Sequence, residues 1–403
     1  MRRISGLLLL TIAAVVLLAA GSALAEDVKP TVTPFGQIYA NYTYNASGYE
    51  DYDARFPTND YNSFEVTRSY IGLKAQFNSQ WSANVTFDSR RDYAYTKIKV
   101  PSGVADNPDT ADVDESAAEV FGTTGARTGQ YTVYMRFAYA NWQPCDSFGV
   151  TFGQIKTPVY DHYTDVWYLA YITGEPWFKY AFTRNGLNDL GVSFGGNFPR
   201  GYGKWGVMFG NGEGGSTAEV NAGKAVQASV LVRPLASIDA AKGLSLWGGF
   251  NYDKVQPDHP EELRTTMRGN LAYRYDVKKD EMGFIVAGDF VQSTYTIDIP
   301  NTDDVVSQSV AGWVDFWFAT HYGVALRYDS YDPNTQNEKD TGIGYQDETS
   351  YILAAFYVKP IKNVKIALDL QRTSYTAEIA DDKGEMVTKG PDQILGLHTD
   401  VAF

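Results

Sequence analysis

From about residue 33 to its last residue, the chain alternates apolar and polar side chains with a period of two. Trp81, Ala83, Val85 and Phe87 interleave with Ser82, Asn84, Thr86 and Asp88. Successive side chains of a strand face opposite sides of the sheet, so such a segment is oily on one face and hydrated on the other. The pattern recurs at Ile38, Ala40, Tyr42 and Tyr44, at Ile71, Leu73, Ala75 and Phe77, and at Val364, Ile366, Leu368 and Leu370. Between Tyr351 and Val358 both faces are apolar, and alternation alone leaves the facing open. The pattern predicts about sixteen strands, near 33–44, 64–77, 81–91, 131–143, 148–156, 187–198, 203–211, 223–234, 243–254, 264–277, 281–296, 306–318, 321–331, 346–359, 363–377 and 391–403. Their connections alternate short and long without a break, as in a barrel with tight turns at one rim and loops at the other.

Two all-β solutions fit alternation: a soluble sandwich or propeller, apolar inside, and a membrane barrel, apolar outside. Three features favour the barrel. The chain lacks a repeat of the propeller kind. It is rich in amphipathic rings, with 29 Tyr, 21 Phe and 8 Trp, many near strand ends, where they suit girdles at the two membrane boundaries. The third is the final strand, described below. The N-terminal segment, 1–25, reads as an export signal and fits either solution: Arg2 and Arg3, an apolar run from Leu7 to Ala20, and Ala23-Leu24-Ala25 as a cleavage site before Glu26. Later segments hold no apolar run long enough for a membrane helix. The expected organisation is therefore a signal peptide over 1–25 and a barrel over 26–403.

The net charge of −14 argues against nucleic acid, which requires a basic footprint. Cys145 is the sole cysteine, so an intrachain disulfide is excluded. There is no HExxH zinc motif and no phosphate-binding glycine loop, and no cofactor is expected. The acidic stretch 106–119 lacks the spacing of a calcium loop and reads as a solvated loop, with divalent bridging to lipopolysaccharide left open. The four histidines, at 162, 259, 321 and 398, stand beside no evident serine–carboxylate constellation, so the chain is not expected to be an enzyme.

The final strand carries Leu395, Leu397, Thr399, Val401 and Phe403 at alternate positions. A terminal Phe closing such a strand resembles the assembly signal of bacterial outer-membrane proteins, which implies the barrel-assembly machinery and outer-membrane lipid as partners. Phe64 to Lys74, Arg136-Phe137-Ala138-Tyr139, Gly153 to Pro158, and Arg327-Tyr328-Asp329 followed by Asp332-Pro333-Asn334 resemble patches of porins similar to phosphate-selective porin O/P. That resemblance implies a transmembrane antiparallel β-barrel of about sixteen strands, a homotrimer, and an inward-folded third external loop. The inferred loop shows no run of basic residues such as a dedicated phosphate filter would need.

A barrel of about sixteen strands encloses an aqueous channel for small solutes, and its chemistry concentrates where it narrows. The third long connection, 157–186, is the candidate constriction. Its aromatics include Tyr160, Trp167, Tyr168 and Trp177; the charges at and within it include Lys156 and Arg184. Rings this numerous favour packing against the lumen wall over exposure to water; a trimer interface or an external girdle is the other reading. Predicted lumen-facing charges are Arg68, Lys74, Asp88, Arg90, Arg136, Arg233, Arg268, Arg274, Asp289, Asp315, Arg327, Asp329 and Asp369. A charge aimed at lipid would cost about 2–4 kcal/mol at the midplane, which supports their inward assignment. Basic rings favour anions; the alternative is that Arg and Asp pair across strands and only keep the lumen wet. The loop aromatics could also stack on sugars.

Overall fold

The computed structural model describes residues 29–46, 62–93, 127–160, 166–167, 169–173, 188–212, 214–215, 223–254, 263–278, 281–296, 304–333, 335, 348–376, 378–380, 386–388 and 391–403, with the side chains of 90–93, 127–130, 254, 378–380 and 386–388 set aside. Sixteen antiparallel strands close into one barrel. They are β1 (Thr31–Asn45), β2 (Asn62–Gln76), β3 (Trp81–Tyr93), β4 (Arg127–Cys145), β5 (Phe148–Lys156), β6 (Asn188–Phe198), β7 (Gly203–Gly210), β8 (Ala225–Val232), β9 (Leu244–Lys254), β10 (Leu263–Lys278), β11 (Met282–Thr296), β12 (Val305–Phe318), β13 (Tyr322–Asp332), β14 (Thr349–Ile361), β15 (Val364–Tyr375) and, last in the chain, β18 (Asp392–Ala402). Each sequence-predicted strand corresponds to one of these. The connection between β15 and β18 holds an additional hairpin, β16 (Glu378–Ala380) with β17 (Met386–Thr388), whose strands are too short to announce themselves by alternation.

Closure leaves the barrel sheet without an edge, which a membrane demands because lipid offers no hydrogen-bonding partner. β18 pairs with both β15 and β1, with Ile38 opposite Val401 and Tyr44 opposite Leu395. Beyond the last ladder pair, Phe403 and Gly36 exchange both backbone bonds, at 2.8 and 2.9 Å. The Phe403 ring lies over Gly36, in the space a β-carbon there would fill. The terminal aromatic is thus part of the seam that closes the barrel.

Facing follows the alternation. In β13, Gly323, Ala325, Arg327 and Asp329 are buried, while Val324, Leu326 and Tyr328 are exposed on the outer wall. In β3, Asn84, Thr86 and Asp88 are buried and Val85 and Phe87 are exposed. Near the short-turn rim, outer rings form girdle stacks: Phe316 on Phe318, Phe318 on Tyr322, and Tyr322 on Phe356, with centroids 5.7–6.3 Å apart.

The segment whose two faces are both apolar now has an explanation. Tyr351, Leu353, Ala355 and Tyr357 of β14 point inward, and Ile352 and Phe356 point outward. The inward set belongs to an apolar cluster that includes Trp247 of β9, Ile285 of β11, Trp313 and Trp317 of β12, and Val159, Val166, Trp167, Leu169, Tyr171 and Ile172 of the β5–β6 connection. This part of the lumen wall is apolar because a loop, not water, covers it.

Candidate functional site

The described part of the β5–β6 connection leaves β5 and reaches the opposite wall. Ser229 of β8 donates to the Pro158 carbonyl at 3.0 Å. The Trp313 indole N–H donates to the Val166 carbonyl at 3.0 Å. Trp167 stands edge-on to Trp313, with centroids 5.9 Å apart, and carries the Arg327 guanidinium over its face at 5.0 Å. Tyr171 meets Tyr39 of β1 at 6.3 Å and takes the Lys365 ammonium over its ring at 5.4 Å. Burying a large ring stabilises by roughly 1.5–3 kcal/mol, and Trp167 and Tyr171 are 2% and 3% exposed. The loop is therefore held to the β12–β15 side by its own aromatics.

Among the described residues, open space lies on the other side, along β1–β9. Three cavities of 510, 260 and 330 Å³ line it. Tyr139 borders all three; Lys156 joins the first to the second and Lys74 the second to the third. The cations on this path are Lys74, Arg136, Lys156 and Lys204, and no described Asp or Glu lines any of the three.

Beside the second cavity, which Arg136 borders, sits a charge cluster built by two β-bulges. Between β1 and β2 the register shifts so that Tyr39 faces Arg68 and Ala40 faces Val66, leaving Thr67 extra. Between β3 and β4, Thr86 faces Phe137 and Phe87 faces Met135, leaving Arg136 extra. A bulge re-aims side chains. Without this one, the inward parity of Phe137 and Tyr139 would send Arg136 to lipid; with it, Arg136 and Phe137 both point inward, 5% and 7% exposed. Asp88, fully buried, receives Arg68 at 2.9 Å, Arg136 at 2.7 Å and the Tyr134 hydroxyl. One carboxylate thus faces two guanidinium groups, and the cluster keeps a net positive charge.

The other predicted lumen charges divide between wall and mouth. Arg327 and Asp329 form a fully buried ion pair at 2.6 Å, shielded by Trp167. Asp315 points inward but is 2% exposed and accepts the Tyr357 hydroxyl at 2.8 Å. Asp289 and Arg268 are buried in the wall. Arg274 is partly exposed, lies over Trp317 at 5.2 Å and pairs with Asp276 at 3.1 Å. Arg233 is half-buried just past β8. Tyr160 borders the smallest of the three cavities. Tyr168, Trp177, Arg184, the 106–119 stretch, the Arg90 side chain and the N-terminal segment 1–25 lie outside the described residues.

Sequence reasoning missed several residues. Phe35, Tyr70, Phe137 and Tyr139 border the path, yet a lumen-facing Tyr and a girdle Tyr look alike in sequence. Arg264 with Asp253 is a further buried pair at 2.8 Å. His398 lies 2.8 Å from Asp369, over Gly396. The pairing of β15 with β18 brings these two together although they are far apart along the chain. Neither ring nitrogen of His398 bonds a hydroxyl, so among the described residues this pair lacks the nucleophile that hydrolysis needs.

A closed sixteen-stranded antiparallel barrel with part of its β5–β6 connection packed against the inner wall has the fold of the bacterial outer-membrane porins. Among solved structures, an anion-selective porin from Comamonas acidovorans superposes with a TM-score of 0.59 at 14% identity, covering 93% of this chain and 100% of its own. OmpF of Salmonella typhi in complex with daunomycin gives 0.58 at 15%, with 92% and 97% covered. OmpT, an outer-membrane protein of Vibrio cholerae in trimer form, gives 0.57 at 12%, with 94% and 100% covered. No family model and no curated protein matches by sequence. The likeness is to the porin fold in general, and the narrower likeness to phosphate-selective porin O/P rests on the short patches alone.

Proposed function

We propose that this chain is an outer-membrane porin, a homotrimer whose water-filled channels pass small hydrophilic solutes by passive diffusion, with a modest preference for anions. The observation that carries this reading is the cation-lined path along β1–β9. Four basic side chains border it, its described lining holds no carboxylate, and Asp88 is bound by two arginines. Basic linings favour anions. Pairing of Arg with Asp accounts for the covered wall, where Arg327–Asp329 and Arg264–Asp253 are buried.

Neither specific-channel reading gains support. The described loop residues include no basic side chain beyond Lys156 where β5 ends, so they add nothing in favour of a phosphate filter. Trp167 and Tyr171 turn their rings to the wall, so these two offer no face to a passing sugar. The test is reconstitution in planar bilayers under a KCl gradient. The reading expects stepwise conductance and a reversal potential displaced toward the chloride equilibrium value. Closed membranes would overturn the channel, and displacement toward potassium would overturn the anion preference.

A further inference from the structure

We propose that the cavity bordered by β1–β5 and Tyr160, with a volume of 260 Å³, is a binding subsite for small aromatic monocarboxylates, one benzoate-sized ring bearing one carboxylate. This rests on the channel reading and adds a solute class to it.

The cavity is built from two chemistries and little else. Three of its lining side chains are cations and six are aromatic; Gln37, Asn84 and Thr86 complete it. Each cation is held over a ring: Lys74 over Phe35 at 5.0 Å, Arg136 over Tyr70 at 5.0 Å, and Lys156 over Phe137 and Tyr160 at 5.8 and 5.6 Å. A cation seated on a ring face is attracted to it and held in position, so positive charge is fixed beside the rings where a carboxylate would lie. The same rings offer edges and faces to a planar apolar body, for which offset and edge-on contacts are favourable.

Size and selectivity agree. A cavity of about 150 Å³ suffices for benzene, so 260 Å³ takes one ring with its carboxylate and a few waters. Acetate or inorganic phosphate would meet the cations but leave the rings uncovered, and phosphate would also surrender its hydration to apolar surface. Asn84 and Thr86, bonded to each other at 2.7 Å, stand where a ring hydroxyl could find a partner. The bulge that aims both Arg136 and Phe137 inward joins the two chemistries at one point of the wall, and bulges recur beside functional sites for this purpose.

The test uses the full-length porin in planar bilayers in KCl, adding benzoate, acetate or inorganic phosphate and recording block of the chloride current. Benzoate is expected to half-block at a concentration at least about tenfold below that of acetate or phosphate. Phe137→Leu is expected to raise the benzoate value severalfold while moving acetate less. Lys74→Gln, at the more exposed rim of the cavity, provides a second variant if Phe137→Leu fails to assemble, and is expected to weaken benzoate block. Equal block by benzoate and acetate, or equal displacement of both by Phe137→Leu, overturns the subsite and leaves the channel standing. Absence of any conductance overturns the channel and the subsite together.

Discussion

Asp88→Asn separates electrostatics from shape beside the cavity that Arg136 borders. The substitution keeps the side chain's outline and removes one negative charge between Arg68 and Arg136. Two effects follow. Asp88 is the buried counter-charge of both guanidinium groups, and removing one partner of a buried ion pair costs roughly 3–5 kcal/mol, so the unfolding midpoint in detergent should fall. The lumen also gains one net positive charge. At about 6 Å and an effective dielectric between ~20 and ~80, a unit charge is worth roughly 0.7–2.8 kcal/mol to a passing ion. Chloride is favoured and potassium disfavoured by the same amount, so even the lower figure raises the chloride-to-potassium permeability ratio about tenfold. The assay is the reversal potential in asymmetric KCl, variant against wild type. A potential that stays put, or moves toward potassium, would refute the claim that this cluster borders the ion path.

Other perturbations test the remaining structure. Trp167→Ala removes the ring that pins the loop to Trp313 and Arg327; a cost of about 3–5 kcal/mol should loosen the loop, and single-channel records should show higher and noisier conductance. Deleting Phe403 removes both seam bonds to Gly36 and should lower the yield of folded barrel, read as the heat-modifiable band on gels. Ala319 and Thr320, in the turn between β12 and β13, hold φ of 50° and 66°; since left-handed backbone costs such residues roughly 1–2 kcal/mol each, Ala319→Asn with Thr320→Gly should raise the unfolding midpoint.

The barrel was legible in the sequence because a membrane strand writes its facing into every second residue, and a slip of one would turn charges such as Arg327 and Asp329 to lipid. The site was less so. Arg136 and Asp88 were visible as inward charges, yet their meeting depends on a bulge, which changes parity without changing composition. The inward loop was signalled by its aromatics, and also by β14, whose doubly apolar character records the loop lying on its inner face. Which aromatics border water and which border the loop is decided by where the loop crosses the lumen. Trp167 and Tyr160, neighbours in one loop, fall on opposite sides of that division.

Single cysteines in a Cys145→Ser background test the division of the lumen most directly. Replacements at Asn141 and Thr151, which line the open cavity, should react with a charged, membrane-impermeant thiol reagent and reduce the current. Replacements at Ala311 and Leu353, 3% and 0% exposed under the loop, should stay unmodified with the current intact. Rapid modification at Ala311 and Leu353 together with protection at Asn141 and Thr151 would contradict a pore that runs along β1–β9.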